Sequence, residues 1–524
     1  MKRIFPFVIA SIIAEITSAQ VVAWTKHVPR NNGVVTYSPG LSMDDQGNAY
    51  CLTDAIPYEI RSFDWSGAPL DTIDPAQVNF LKPVQGGHLV TGSFNQNISI
   101  GGLELETNDG QIRSFLVKLG PDMIAEWSVV GIPVGTGSVY VQSMGVSPSG
   151  RCALLLRVNG TVQWSDLQFT GSLNDRFLLV LDESGEAQWF KWIRTAQGHN
   201  VLSSQFIQTA ISDAGDVWLS TYYSSTLVVG NDTLPAAGIS SYDHFTLHLD
   251  ANGDLAGLLH VPSLPDRFGL YCTGIVPHID GTAIWVGGFH DGANLNGAIL
   301  NGNGHTEALL LHLQNDAQPG QILRGYSDLG SGFGDIARDP VTGDLIIIGS
   351  AHGHLTFGDQ EIDMNTYSYT YAIQLTADGI FGPFIGLTRG QNNVRGNSSY
   401  VSNAVIREGI AYVLGYVGWG GERWDGTNLP EGLTLSRIIP SDRVGIHEAV
   451  LGATRIRPVP AADFILVDGT WGSGPVRMID AQGRTMTVQP SGMDGTLRID
   501  IQHLPAGSYN LVGEHGPMGR FVKM

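Results

Sequence analysis

A turn built on glycine recurs along this chain at a nearly constant interval, and that interval limits the fold more than any other feature. Glycines 86, 150, 215, 281, 343 and 409 each close a polar turn ahead of an apolar run, at spacings of 62 to 66 residues. The runs are His88–Thr91, Cys152–Val158, Val217–Ser220, Ala283–Val286, Leu345–Ile348 and Ile410–Leu414. A seventh, earlier copy places Gln46-Gly47-Asn48 before Ala49–Leu52. A fixed repeat implies one small structural unit used many times, each copy unable to bury its apolar faces alone.

Within each repeat a second apolar run follows, in several copies ending in a hairpin turn. Examples are Phe177–Leu181 before Glu183-Ser184-Gly185, and Phe245–Leu249 before Asn252-Gly253-Asp254. Polar-Gly pairs between apolar runs are hairpin signals. A closing strand then carries tryptophan in Glu126-Trp127-Ser128 and Gln188-Trp189-Phe190. Four strands in each of seven repeats predict an all-β, seven-bladed β-propeller over residues 20–445. The last repeat lacks its own closing strand, and Val21–Lys26, with Trp24, has the look of one. We expect it to complete the seventh blade and hide the open sheet edges. Several repeats also carry an excursion between second and third strands: 98–102, 227–232 and 355–359. With Gly92-Ser93-Phe94 and Phe115-Leu116-Val117-Lys118-Leu119, residues 40–440 resemble the SBBP-type propeller repeats of secreted bacterial proteins. That resemblance implies a fold and little chemistry.

Composition agrees with strands and tight turns. There are 67 glycines, and charged residues are only 15% of the chain, so it can bury enough apolar surface to order itself. The formal net charge of −20 disfavours a nucleic-acid partner and suits a soluble exported protein. Cys51, Cys152 and Cys272 are too few and too scattered for a disulfide framework, and two of them sit in strand-like runs. At the start, Lys2-Arg3, the apolar run Ile4–Ile13 and the small residues Thr17-Ser18-Ala19 read as a signal peptide over residues 1–19. No later segment is apolar enough to span a membrane. The expected location is therefore secreted or cell surface.

From residue 446 the repeat stops. Phe464–Val467, Val476–Asp480, Leu497–Ile501 and Arg520–Lys523 alternate apolar residues between glycine turns, predicting a small C-terminal β-sandwich over 446–524. Pro458, Pro460, Asp480, Gly483, Arg484, Leu504, Gly507, Tyr509 and Lys523 are similar in pattern to the sorting domain of type IX secretion substrates. Val459 stands where that family carries asparagine. The resemblance implies that the outer-membrane secretion machinery is a partner, with the mature protein released or held at the cell surface.

Catalytic motifs do not emerge. There is no phosphate-binding Gly-rich loop, no His-Glu-x-x-His and no Gly-x-Ser-x-Gly, and no cofactor is expected. Asp250–Asp254 imitates a calcium loop but has Val261 where the last ligand belongs, and it reads better as a hairpin turn. His352 and His354 could offer two imidazoles to a metal, with no third ligand to name, and His244 and His248 are weaker candidates. Trp419, Arg423 and Trp424 on a Gly-rich loop are the candidate ligand-binding residues, as a stacking platform for sugar or peptide. Packing of those rings within the protein is the competing reading. The expected function is non-enzymatic binding of an extracellular protein or glycan; the alternative is a propeller-fold hydrolase or lyase acting on glycans.

Overall fold

The computed structural model describes residues 20–28, 40–53, 59–73, 78–195, 206–223, 226–234, 243–262, 269–278, 280–358, 360–377, 381–389, 400–417, 422–423, 429, 432–440, 455–457, 464–468, 476–480, 485–488, 491–493, 496–505, 507–513 and 516–523. The fold is all-β. It divides into two compact units, Val22–Ile439 on one hand and Pro440–Met524 with Met1–Val21 on the other.

Among the described residues the first unit pairs its strands into three four-stranded sheets, two nine-stranded sheets and a hairpin, and antiparallel meanders of four strands can be followed through them in chain order. The first comprises Leu41–Met43, Ala49–Leu52, Ile60–Phe63 and Pro69–Ile73. The second comprises Val78–Val84, Gly87–Phe94, Arg113–Leu119 and the start of Ala125–Val146. The end of that long strand begins the third meander, continued by Cys152–Trp164, Leu167–Leu181 and Ala187–Thr195. The fourth is Gln208–Ile211, Val217–Tyr223, Asp243–Leu249 and Leu255–Val261, and the fifth Leu270–Pro277, Ala283–Leu295, Ala298–Leu313 and Pro319–Ser327. Ser331–Arg338, Leu345–Phe357, Gln360–Leu375 and Phe381–Arg389 form the sixth. The seventh joins Tyr400–Arg407, Ile410–Val417 and Gly432–Pro440 to the amino-terminal strand Gln20–His27. There Thr25 Oγ1 lies 2.9 Å from Ser436 Oγ, and the Val28 N–H donates to the Leu433 carbonyl over 2.9 Å.

The strands read as continuous apolar runs because both faces of each meander are covered. Leu154, Leu156 and Leu179 pack with Leu89 and Leu116 of the second meander, whereas Leu155 and Leu178 pack with Leu219 and Phe245 of the fourth. Comparable apolar clusters lie between every consecutive pair of meanders, including Leu41 and Cys51 of the first with Leu414 and Leu435 of the seventh. Fully burying each such leucine contributes roughly 1.5–3 kcal/mol. First strands of consecutive meanders also pack side by side, and Tyr400–Arg407 returns to Leu41–Met43, so the succession closes on itself. The arrangement is propeller-like.

Two further devices tie neighbours together at the rim. Excursions from one meander pair with the fourth strand of the meander before it: Leu227–Val229 with Ile193–Thr195, Leu355–Phe357 with Gly325–Ser327, and Arg423 with Thr388. Fourth-strand tryptophans cap the following hairpin turn. Trp189 Nε1 donates to the Ala251 carbonyl over 2.9 Å, and its ring lies where a Cβ on Gly253 would come within 3.0 Å. With φ of 80°, Gly253 is required twice over, by backbone conformation and by the ring. The Asp250–Asp254 segment is that turn: Asp250 Oδ1 accepts the N–H groups of Asn252 and Asp254, both at 2.9 Å.

The second unit holds two four-stranded sheets. One orders Arg455–Arg457, Phe464–Asp468, Thr496–Asp500 and Ser491–Met493; the other orders Thr485–Val488, Val476–Asp480, Gly507–Gly513 and Gly516–Lys523. Ile465, Val467, Met478, Ile499, Leu504, Tyr509 and Leu511 share one apolar cluster drawn from both sheets.

Candidate functional site

The first strands of successive meanders pack side by side, and their local structure sets which side chains come together there. Each of five carries an extra residue where the ladder to its second strand shifts register: Asn79, Gln142, Thr273, Gly334 and Ser402. A bulge of this kind bends the strand and redirects a side chain. Thr273 Oγ1 donates to the Phe333 carbonyl of the next first strand over 2.9 Å, so the bulge also links neighbours.

Asp335, just past the Gly334 bulge, is the one carboxylate on the described first strands. Its Oδ2 accepts the Ala404 N–H at 3.1 Å from the seventh meander. On the other side stands Gly274 of the fifth meander, where a Cβ would fall 2.8 Å from Ile336 Cγ2 and 3.0 Å from Asp335 Oδ1. Gly274 is therefore what makes room for the carboxyl. Desolvation deep among the strands pushes Asp335 up to about 6, against the opposing pull of the Lys82 charge and two backbone N–H groups. The result is a carboxyl raised to about 6 that feels the Lys82 charge, with Asn79, Gln142, Thr273, Gly334 and Ser402 at the bulges of five first strands. Such a set can bind a polar ligand by hydrogen bonds. Glycoside hydrolysis by the usual route needs a second carboxylate, which the described first strands do not supply.

His88, His244 and His248 pack against neighbouring side chains. His88 Nδ1 lies 2.6 Å from Ser42 Oγ, its ring sits 4.4 Å from that of Tyr50, and burial pulls it down to about 4. His244 Nε2 lies 3.0 Å from Ser220 Oγ, which also receives Trp285 Nε1 at 3.2 Å; burial pulls His244 down to about 3. His248 stacks on Trp218 at 4.3 Å and bonds the Asn315 carbonyl at 2.6 Å. His352 and His354 are separated by a bulge at Gly353 (φ 75°), and His354 Nε2 meets Glu361 Oε1 at 2.5 Å. Among the described residues no group of three or more His, Cys, Asp or Glu could hold a metal. The three cysteines are free and buried, and burial pushes the Cys51 thiol up to about 12.

Trp419 and Trp424 lie outside the described residues. The backbone of Arg423 belongs to the short strand Glu422–Arg423, paired to the sixth meander; its side chain is not described. Of the sorting pattern, Leu504 and Tyr509 are buried in the second unit, and Tyr509 Oη donates to the Pro505 carbonyl over 2.8 Å. Asp480 pairs with Tyr509, and Gly507 with Lys523. Pro458, Pro460, Gly483 and Arg484 lie outside the described residues. Sequence reasoning missed Asp335 and Lys82. The available signal was a lone carboxylate in the glycine-flanked run Gly332-Phe333-Gly334-Asp335, which no motif describes.

No protein-family model matches the chain, and neither does any curated protein. Among solved structures, a fungal alcohol oxidase in complex with copper is 12% identical, with 97% of this chain and 100% of that one covered and a TM-score of 0.38. The Dos1 propeller is 8% identical over 80% of this chain and 95% of that one, with a TM-score of 0.36. An engineered GH43 glycoside hydrolase displaying both endo-xylanase and exo-arabinofuranosidase activity is 11% identical over 77% and 71%, with a TM-score of 0.18. Likeness at this level transfers no residue role to this chain.

Proposed function

We propose that this chain is an exported seven-bladed β-propeller that binds an extracellular protein or glycan at the axial end of its first strands without transforming it. Residues 446–524 act as a β-sandwich sorting domain that engages the outer-membrane secretion machinery. The single observation carrying the propeller reading is the closed succession of first strands, from Leu41–Met43 round to Tyr400–Arg407 and back. Support for binding over catalysis comes from the charges on the described first strands, where Asp335 is the single carboxylate alongside the cations Lys82, Arg338 and Arg407. The glycan hydrolase or lyase reading draws on Asp335 alone, whose near-neutral titration suits a general acid.

The test is a glycan and protein binding screen with the full exported chain, its Asp335→Asn/Lys82→Gln double variant and its Trp419→Ala/Trp424→Ala variant. Any hit is incubated further and examined for cleavage. Loss of binding in the first variant with the hit recovered intact is the expected result. Turnover abolished by Asp335→Asn would establish the enzymatic alternative. Retention by the Trp419→Ala/Trp424→Ala variant would end the tryptophan-platform idea. For export, deletion of residues 446–524 should leave the protein inside the outer membrane, and normal release of that deletion would refute the sorting role.

A further inference from the structure

A second site begins with two like charges placed opposite each other. Counting five residues along the second strand from the pair that opens each ladder gives equivalent steps in six meanders. Those steps hold Ser93 opposite Ser114, Tyr222 opposite His244, Gly288 opposite Ala308, Ser350 opposite Thr370, and Tyr416 opposite Leu433. In the third meander the step holds Arg157 opposite Arg176. Directly opposed like charges on a ladder are unfavourable, and more so as they leave water.

The pair points toward the fourth meander, on the face that also carries Leu155 and Leu178. Arg176 is only 4% exposed. Among the described residues its Nη1 donates to the Asp175 carbonyl at 3.3 Å, and its Nε finds no acceptor. Arg157 is partly exposed, lies 4.4 Å over the Tyr140 ring, and also has an unpartnered buried Nε. The adjacent carboxylate, Asp175, accepts the Ser172 N–H at 2.8 Å and leaves both Nε atoms without an acceptor. Burial and the Arg157 charge draw Arg176 down to about 10 against the opposing pull of Asp175, so Arg176 is charged at neutral pH.

We propose that Arg157 and Arg176 form a binding site for a single oxyanion, a carboxylate, sulfate or phosphate group, between the third and fourth meanders. One such group accepts from two guanidinium planes at once, converting a repulsive pair into two charge-assisted interactions. Tyr140 fixes the Arg157 plane by stacking. This goes beyond the reading above and stands whether or not the first strands bind anything.

Thermal unfolding of the full chain in sodium sulfate, sodium phosphate or sodium glucuronate, each against sodium chloride at matched ionic strength, tests it. The wild type should show a saturable rise in Tm with at least one of the three. Arg157→Gln should weaken the fitted affinity roughly tenfold or more, with Arg157→Lys intermediate. Arg157 is partly exposed, so its variants fold even where Arg176→Gln does not. A response confined to glucuronate assigns a carboxylate ligand, and one confined to sulfate and phosphate a tetrahedral one; either supports the site. No saturable response to any anion, or a response unchanged in Arg157→Gln, overturns it.

Discussion

The third and fifth meanders bury charge at almost the same depth and handle it in opposite ways. In the fifth, Glu307 is fully buried one step along from Ala308, and it is answered from within. Arg324 bonds both its oxygens, with Nη2 2.7 Å from Oε1, and the Asn303 N–H adds a third bond at 3.1 Å. In the third, the Nε atoms of Arg157 and Arg176 find no acceptor among the described residues, although the Asp175 charge offsets part of the repulsion at Arg176. The fourth meander takes a middle course: His244, at the step equivalent to Arg176, is buried and kept neutral. One scaffold position therefore supports a self-contained ion pair nearby, a neutralised imidazole, or an unanswered cation. The first two serve stability. The third leaves two guanidinium Nε atoms without an acceptor among the described residues, which is the opening the proposed oxyanion would fill.

The sharpest way to break this contrast is to remove one partner of the internal pair. Arg324→Met strands Glu307 without a countercharge and should cost about 3–5 kcal/mol in denaturant unfolding. A loss below about 1 kcal/mol would mean that the pair is not what holds the carboxylate there. Next comes acid. His244 titrates at about 3 folded, below the ordinary value near 6.5, so stability is intact above pH 6.5 and falls as pH drops toward 3. Between pH 6.5 and 4 the loss should be roughly 2–3 kcal/mol, and a His244→Gln variant should lack that slope.

Asp335 runs the other way. Its folded value of about 6 lies above the ordinary 3.8, so its contribution is present below pH 4 and is lost as pH rises through 6. Asp335→Asn should flatten that fall, worth roughly 2 kcal/mol, as read from urea unfolding at pH 4 and pH 7. An identical pH profile in the variant would remove the axial carboxyl from the account. The smallest effect belongs to the third meander. Arg157→Gln should unfold within about 1 kcal/mol of wild type, and on the stable side, in chloride alone. A large destabilisation would show that the two arginines already have a structural partner.

Much of the architecture was legible because burial on both faces writes long apolar runs, and glycine turns punctuate them. Leu154, Leu155 and Leu156 all point into protein, toward alternate neighbours. Trp127 and Trp189 marked the fourth strands, although the role of Trp189 as a cap over the next turn depends on a contact 62 residues away. The excursions were visible as Gly-bearing insertions, but not their pairing with the preceding meander, which is set by shape. The site was mostly illegible. Asp335 gains its character from Gly274 and Ala404, and Arg157 from Arg176 across a ladder. None of these neighbourhoods leaves a local spacing to read.

The strand Gln20–His27 has a consequence for how the protein comes into being. Its partner on the ladder lies about 411 positions downstream, as Thr25 and Ser436 measure it. A ribosome makes it early and it can be used only last, so the final sheet cannot form until nearly the whole domain exists. Closing so distant a contact is slow, and until then the last sheet offers a bare edge to any passing strand. The interval before the amino-terminal strand docks is therefore when this fold is open to mispairing at that edge.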